Sequence, residues 1–496
     1  MTDPAGHWPE ELLDRMQYAA DPLADATVAH IVGAWSDSAP GATLEALRAA
    51  QQTPWQRLAV ATRLLTAMQA DDGGATPADP RPLAERIPEQ PDAPGVTEAL
   101  RAFVAEGSRL PEWMDPAKIG RAEQLFIDDG ALSCVLLFCA SLPECYVIPD
   151  LSMVLAASGQ LATRTDYRIR MTAAMIFPVM MKGGLGPQGP GVAQVLKVRL
   201  IHATIRSLIL RDSPQHAVEA LGAARNVEGA GVVPPHPALV ASSGMTETMF
   251  GHGWKLGEDG LPCNQEELAY TLLTFSYVFL RSLRRLGVAF APADEEAYLH
   301  CWNVAGYVLG IEPELMAHTM DDAAALFDRM QVRGRADPVA SDPRPGLGEA
   351  LVATMADAIP FAIAKPFPRL MVRYLCGGET ARDLGLAGPV DVVASRLFFV
   401  VILVARVIDT IARRFDPDFS IARFVTRVVG YHFMTRLLMD ETRPLTLPRH
   451  LAEKVNTVMA AWSEDPKSPR WVNRLENKLT TEGKWQGPVV PSPHSD

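Results

Sequence analysis

Asp166-Tyr-Arg-Ile-Arg-Met-Thr-Ala-Ala-Met-Ile-Phe-Pro-Val179 and Val192-Ala-Gln-Val-Leu-Lys-Val-Arg-Leu-Ile-His-Ala-Thr-Ile-Arg-Ser-Leu-Ile-Leu210 read as two helices separated by a Gly/Pro turn. In the first, Arg168 and Thr172 are four residues apart and share a face. That face continues as Met175, Ile176 and Val179. Pro178 should loosen the helix near position 174, where a carbonyl loses its N–H partner. In the second, His202 lies in line with Val195, Val198, Ile205 and Ile209, flanked by Arg199 and Arg206. A short connection makes the two helices antiparallel neighbours. One imidazole then projects from an apolar wall toward a wall bearing a guanidinium and a hydroxyl.

The same 3.6-residue period extends along nearly the whole chain, and period-2 alternation is hard to find. Helices are predicted at about 22–36, 43–71, 95–107, 116–141, 146–160, 163–182, 192–211, 264–288, 293–310, 312–332, 346–359, 388–415, 418–439 and 448–462. Asn264-Gln-Glu-Glu-Leu supplies an N-cap followed by carboxylates at the positive end of the helix dipole, and Ala293-Asp-Glu-Glu-Ala a second start. The stretch 75–94 and the stretch 333–348 are rich in loop-forming residues. The fold class is therefore all-α, a large multi-helix fold. Its expected division is a domain at 1–335 with its core at 116–332, a linker at 336–348, and a C-terminal helical region at 349–496 packed on the core. The tail after Ser468 reads as a poorly packed arm. No internal repeat of fixed period is visible.

Composition narrows the function. The 46 Lys and Arg against 58 Asp and Glu give a net charge of −12, which argues against a nucleic-acid binder. With 48% hydrophobic and 21% charged residues the 496-residue chain is ordinary globular material. Cys134, Cys139, Cys145, Cys263, Cys301 and Cys376 form no Cys-x-x-Cys pair and read as free thiols of a reducing compartment. The N-terminus shows no basic segment followed by an apolar one, so the expectation is a cytoplasmic protein without a secretory signal. The longest apolar run, Leu397–Ala405, lies between Arg396 and Arg406. It is too short to span a bilayer, so no transmembrane segment is expected and the run is read as a buried helix.

Common motifs of catalysis are absent: no His-Glu-x-x-His, no Walker loop, no Gly-x-Ser-x-Gly. Gly184-Leu-Gly-Pro-Gln-Gly189 matches Gly-x-Gly-x-x-Gly but follows a helical pattern and carries Pro187. A dinucleotide site needs a preceding strand, so the string reads as a helix–helix connection. The Arg168, Thr172 and His202 set is the one with chemistry in it. A non-covalent haem needs one neutral imidazole for the iron, apolar walls for the macrocycle and a cation for a propionate. Against this stands the plain alternative. A lone histidine on an apolar face is often a hydrogen-bonded core residue, Arg168 a salt bridge with Asp166 or Glu144, and Thr172 bonded to its own helix.

The spacing also resembles a known family, the latex-clearing-protein or rubber-oxygenase family, to which the membrane-bound oxygenase of mycophenolic acid biosynthesis is related. Its pattern is an Arg, a Thr four residues later and a His thirty after the Thr, as in Arg168, Thr172 and His202. Asp21-Pro-Leu-Ala-Asp-Ala-Thr-Val, Ala140-Ser-Leu-Pro-Glu-Cys-Tyr, Asn264-Gln-Glu-Glu-Leu, Phe275-Ser-Tyr and the block Tyr298–Ile311 resemble further family segments, over about residues 20–330. The resemblance implies a helical fold around haem b, with His202 as the iron ligand and Arg168 and Thr172 in the pocket as catalytic residues. It implies an enzyme that uses dioxygen to cleave or oxygenate a C=C bond of an apolar, isoprenoid-like small molecule. Rubber-cleaving members carry a lysine where this chain has Met171, and no glutamate here aligns with their base. They are also secreted, so polyisoprene itself is not the expected substrate.

Met171 is also a candidate iron ligand opposite His202, and Met175 a polarisable filler beside the cofactor. The alternative to an enzyme is a non-catalytic haem-binding or gas- or haem-sensing protein. A haem-free helical scaffold or lipid-binding protein is the third reading. His236, in Pro234-Pro-His-Pro, is read as solvent-facing, His252 as lining an entrance, and His300 as core or interface. Phe275, Phe279, Trp302 and Tyr307 recur at helical spacing and are read as packing.

Overall fold

The structure, a computed structural model, describes residues 8–35, 43–69, 81–128, 130–157, 165–224, 229–240, 244–288, 290–335, 342–357, 359 and 362–412. At 130–131, 134, 156–157, 165–171, 237–238, 405 and 408–412 it describes the backbone alone. The predicted helices at 418–439 and 448–462, the tail after Ser468 and positions 336–341 of the predicted linker lie outside the described residues.

The expected all-helical architecture is what forms. The N-terminal layer is α1 (Glu10–Gln17), α2 (Pro22–Val32), α3 (Leu44–Gln69) and α4 (Pro94–Gly107). Next come α5 (Pro116–Asp128), α6 (Gly130–Leu136), a π-helical turn at Leu137–Ser141, α7 (Leu142–Cys145) and α8 (Pro149–Ala157). The hairpin of α9 (Thr165–Met180) and α10 (Pro190–Leu210) follows, then α11 (Pro214–Ala223), α12 (Pro237–Val240), α13 (Met245–Gly251) and α14 (Leu256–Asp259). The second half holds α15 (Gln265–Phe275), α16 (Tyr277–Leu286), α17 (Pro292–Leu309), α18 (Met320–Arg335), α19 (Arg344–Asp357), α20 (Phe367–Cys376), α21 (Gly378–Asp383) and α22 (Val392–Ala412). Among the described residues the β-structure is one antiparallel ribbon, with Val232 opposite Lys255 and Val233 opposite Trp254.

Local chemistry explains several boundaries. Asp21 caps α2 by accepting from Ala24 N at 3.3 Å, with Pro22 at the first helical position. Asn264 caps α15, its Oδ1 accepting from Glu267 N at 2.9 Å. α17 starts one residue earlier than its acidic run suggests, because Pro292 sets the first turn and no side chain caps it. The predicted 116–141 stretch ends in the π turn, and the 264–288 stretch is divided at Ser276, whose hydroxyl bonds back to Leu272 O at 3.0 Å. α19 begins at Arg344, inside the stretch read as a linker, and packs on α8, α9 and α20.

α10 is the central strut, packing on α9, α2, α3, α13 and α17, while α17 lies along α5. Among the described residues no single helix is long and apolar enough to cross a membrane. The apolar run Leu397–Ala405 is helical but not buried, which corrects the sequence reading. Ala394 and Phe398 face the protein at 2% exposure each, whereas Phe399 and Val400 are 53% exposed and Leu403 61%. α22 rests on its neighbours along a single stripe.

Candidate functional site

The site is built on the α9–α10 hairpin, and its glycines are required by close backbone approach. A Cβ on Gly184 would lie 2.1 Å from Pro178 O, and one on Gly191 would lie 2.7 Å from Pro178 O and 2.8 Å from Val179 Cα. The 184–189 string is therefore the helix–helix connection the sequence suggested, packed so tightly that only glycine fits. α9 runs through Pro178 to end at Met180, so the proline sits in its last turn. Val179 level with Gly191 fixes the antiparallel register. At about 1.5 Å rise per residue in both helices, position 172 stands level with Val198 and position 168 level with His202.

His202 is held between two closed ion pairs. On one side Arg199 grips Asp21 through both nitrogens of its fork, Nε to Oδ2 at 2.5 Å and Nη2 to Oδ1 at 2.8 Å. On the other, fully buried Arg206 donates Nε to Asp25 Oδ1 at 2.9 Å and Nη1 to Cys263 O at 2.7 Å. These two guanidiniums are thus committed to α2 and are not open cations for a bound anion. Val195 and Ile209, above and below, are fully buried, while Val198 and Ile205 are partly buried against the core.

The imidazole Nδ1, like the Nη2 of Arg206 beside it on α10, is left without a hydrogen-bond partner among the described residues. The residue is half-buried, yet its Nδ1 is sealed from solvent and has no hydrogen-bond partner among the described residues. Burial, helped by the nearby positive Arg206 and opposed by Asp21, pushes its pKa down to about 4. At neutral pH the ring is therefore uncharged, the form that binds a metal. A buried imidazole nitrogen left without a bond is the feature a metal would satisfy, so the donor chemistry at His202 fits a haem iron.

Of the other predicted site residues, Thr172 is half-buried on α9 and Met175 is partly buried and packed against the core. Arg168 and Met171 lie on the described backbone of α9, and their side chains are outside the described residues. Glu144, one of the two partners weighed for Arg168, is 1% exposed and engaged elsewhere. It accepts from Arg281 at 2.6 Å, Gln331 at 2.9 Å and Thr380 at 3.1 Å. Asp150 sits with Glu267 and Tyr270 around a small pocket near Gln17.

The remaining histidines separate cleanly. His300 is structural: its Nε2 accepts from Asp115 N at 2.9 Å, and its ring meets Trp113 edge-on at 5.5 Å. His236 is not solvent-facing as the sequence suggested. Its N–H donates to Gly251 O at 2.7 Å and its Nδ1 is buried without a partner among the described residues. His252 is half-buried, with its pKa lowered by burial. Among the described residues no three His, Cys, Asp or Glu are grouped to hold a metal ion. The five described cysteines are free.

Sequence reasoning missed the buttress behind His202. Asp21 and Asp25 contact Arg199 and Arg206 across 178 and 181 positions. Gln265 ties the same corner together, donating to Ala20 O and Gly310 O at 2.9 and 2.8 Å. The only signal was the pairing of Arg199 and Arg206 about the histidine with two acids at the start of α2.

Comparison with known proteins agrees with this architecture. Residues 247–407 match the family model described as ER-bound oxygenase mpaB/B'/Rubber oxygenase, catalytic domain. The chain is similar to the rubber oxygenase of Streptomyces sp. (strain K30), with 26% identity over 295 residues, 59% of this chain. The alignment spans 62% of that relative's length. Its fold is that of the solved structure of latex clearing protein LCP in the closed state, with a TM-score of 0.51 and 16% identity over 93% of this chain and 91% of the other. Part of the chain is thus similar to the catalytic domain of the mpaB and rubber-oxygenase proteins, and its helical fold is shared with latex clearing protein.

Proposed function

We propose that this protein is a haem b-dependent oxygenase that uses dioxygen to cleave or oxygenate a C=C bond of an apolar, isoprenoid-like small molecule. The observation that carries the reading is His202: a neutral, buried imidazole nitrogen with no hydrogen bond among the described residues, locked in place by two bidentate or doubly bonded arginines. Among the described residues no three His, Cys, Asp or Glu are grouped at it, which favours an iron whose other donors come from a macrocycle. His202 would ligate the iron, and Arg168, Thr172, Met171 and Met175 on the facing helix would line the pocket. The haem supplies the redox chemistry that activates dioxygen.

The protein's own contribution is placement and exclusion of water. The Asp21–Arg199 and Asp25–Arg206 pairs fix the rotation of α10, and through it the direction of the imidazole. The apolar stripe of Val195, Val198, Ile205 and Ile209 keeps the wall around it dry, which suits an alkene. Thr172 puts a hydroxyl at the level of Val198, the one polar group on this part of α9 whose burial is described.

The test is an absorption spectrum of protein expressed with haem supply, taken oxidised, reduced and with carbon monoxide. A Soret band that shifts with carbon monoxide and disappears in His202→Ala, with helicity retained, is the expected result. Normal haem content in His202→Ala sinks the assignment. A Soret band without oxygen uptake on any alkene selects a haem-binding or gas-sensing protein instead.

A further inference from the structure

More than half of the exposed large apolar side chains among the described residues lie on one helix, α22. Val392, Val393, Phe399, Val400, Leu403 and Val404 belong to this face, on a helix that meets the protein through the stripe of Ala394 and Phe398. Single exposed apolar residues are ordinary, but a contiguous face of them marks an interaction surface.

The charges around this face have one sign. From Val392 to Val407 the chain has no Asp or Glu and two arginines, Arg396 and Arg406, both exposed. Arg396 has no carboxylate partner among the described residues. The turn Ala362–Ala364 packs against α22 and adds exposed Ile363, with exposed Lys365 next to it. Toward the C-terminal end of the helix, Arg406 Nη2 donates to Arg285 O at 2.8 Å. That bond joins α22 to a cleft of about 310 Å³ lined by Tyr277, Arg281, Arg284, Arg285 and Asp321, among others. Glu144 and Glu295 pair with Arg281 and Arg284, and Asp321 offsets part of the remaining charge. Arg285 bonds the carbonyl of Leu375 and has no carboxylate partner among the described residues. In a chain of net charge −12, this corner is a local reversal of sign.

We propose that α22 and the arginine-lined cleft at its end dock the protein on an anionic lipid surface, the helix lying in the plane of the bilayer. An apolar face bearing arginines, on a helix not long and apolar enough to cross a membrane, is the pattern of an interfacial helix. Its valine, leucine and phenylalanine side chains enter the acyl boundary, while Arg396 and Arg406 extend to the phosphates. The cleft offers Arg285 to a further headgroup. A second copy of the chain suits the face less well, because it would bring together two acid-free, arginine-bearing surfaces. The docking does not depend on the oxygenase reading, and neither falls with the other.

Flotation of the full chain with vesicles tests it. Vesicles of phosphatidylcholine with about one third phosphatidylglycerol are expected to bind severalfold more tightly than phosphatidylcholine alone, and high salt should shrink the difference. Leu403→Glu, at a position 61% exposed, should abolish binding to both and leave the thermal midpoint unchanged. Arg396→Gln should remove most of the preference for anionic vesicles and keep the binding to neutral ones. An environment-sensitive dye on Val400→Cys should shift to the blue when the mixed vesicles are added. No binding to mixed vesicles overturns the proposal, as does binding that Leu403→Glu leaves intact. A discrete dimer that Leu403→Glu dissolves, without vesicle binding, assigns the face to a second copy. A Val400→Cys thiol that no reagent reaches in lipid-free protein assigns it to the chain's own remaining residues. Either of these results also overturns the proposal.

Discussion

Arg206 and Asp25 form a buried pair, the guanidinium 0% and the carboxylate 10% exposed, with Nε 2.9 Å from Oδ1. The second anchor of Arg206 is Cys263 O, on a residue held at φ 53°. Removing the carboxylate therefore strands a charge in the core. Asp25→Ala should cost about 3–5 kcal/mol and lower the haem content with it, because α10 loses its rotational anchor. Thermal unfolding followed by circular dichroism measures the first and the Soret absorbance the second. Replacing both partners with apolar residues, as Asp25→Leu with Arg206→Met, should recover most of the stability. A loss of less than about 1 kcal/mol in Asp25→Ala would show that the pair contributes only as a surface bridge does.

The α9–α10 hairpin makes a sharper steric prediction. In Gly191→Ala the three atoms nearest the added methyl are all backbone, Gly184 O, Pro178 O and Val179 Cα, all within 2.8 Å. None of these is the far end of a flexible side chain, so the helices must separate. A loss on the order of 2–4 kcal/mol is expected, in the range of strained core insertions. Gly95→Ala is the control, since nothing lies within 4 Å of its added methyl in the first turn of α4. It should be neutral or stabilising by up to about 1 kcal/mol. Equal effects at the two positions would contradict the close approach.

Glu267 sets a pH dependence. Neither of its carboxylate oxygens makes a well-formed hydrogen bond among the described residues. Burial, followed by the charge of Asp150, holds its pKa well above the ordinary 4.5, and the N–H groups of Asn264 and Cys263 offset this only in part. The folded state thus keeps a proton that the unfolded state has lost. Stability from this group is present below pH 4.5 and declines as pH rises above it. Glu267→Gln removes the ionisation, so it should gain about 1 to 3 kcal/mol at pH 8 and little at pH 4. Denaturant titrations at the two pH values read the difference. A variant whose benefit is the same at both is incompatible with a protonated Glu267.

How much of this was readable from the residues depends on how local the physics is. Asn264 and the 184–189 glycines declared themselves, because a cap and a tight turn are settled within a few positions. The long helices did so through many repeats of one period. α11, α13 and α20 did not, since 7 to 10 residues hold too few turns to show a periodicity. In the site, the alignment of Thr172 with the histidine helix followed from the hairpin. The partners of Arg199 and Arg206 did not, because Asp21 and Asp25 reach them only through the packing of α2 on α10. Glu144 was misplaced for the same reason, as its arginine, Arg281, is 137 positions away.

The clearest case of that limit is α22, where adjacent apolar residues have opposite environments. Phe398 is 2% exposed and meets Phe367 edge-on at 5.4 Å, with Tyr374 at 6.4 Å. Val400, two positions on, is 53% exposed. Their letters alone read as one buried run. Phe398→Ala should cost about 3–5 kcal/mol, as truncation of a large core residue does. Val400→Lys should change stability by less than about 0.5 kcal/mol, as a surface substitution does, and should reduce association at high protein concentration by breaking an exposed apolar face. Chemical denaturation and light scattering on the two variants decide the matter: a Val400→Lys protein as destabilised as Phe398→Ala would mean that this side of α22 is covered in solution, and the single-stripe contact through Ala394 and Phe398 would then be an incomplete account of how the helix is held.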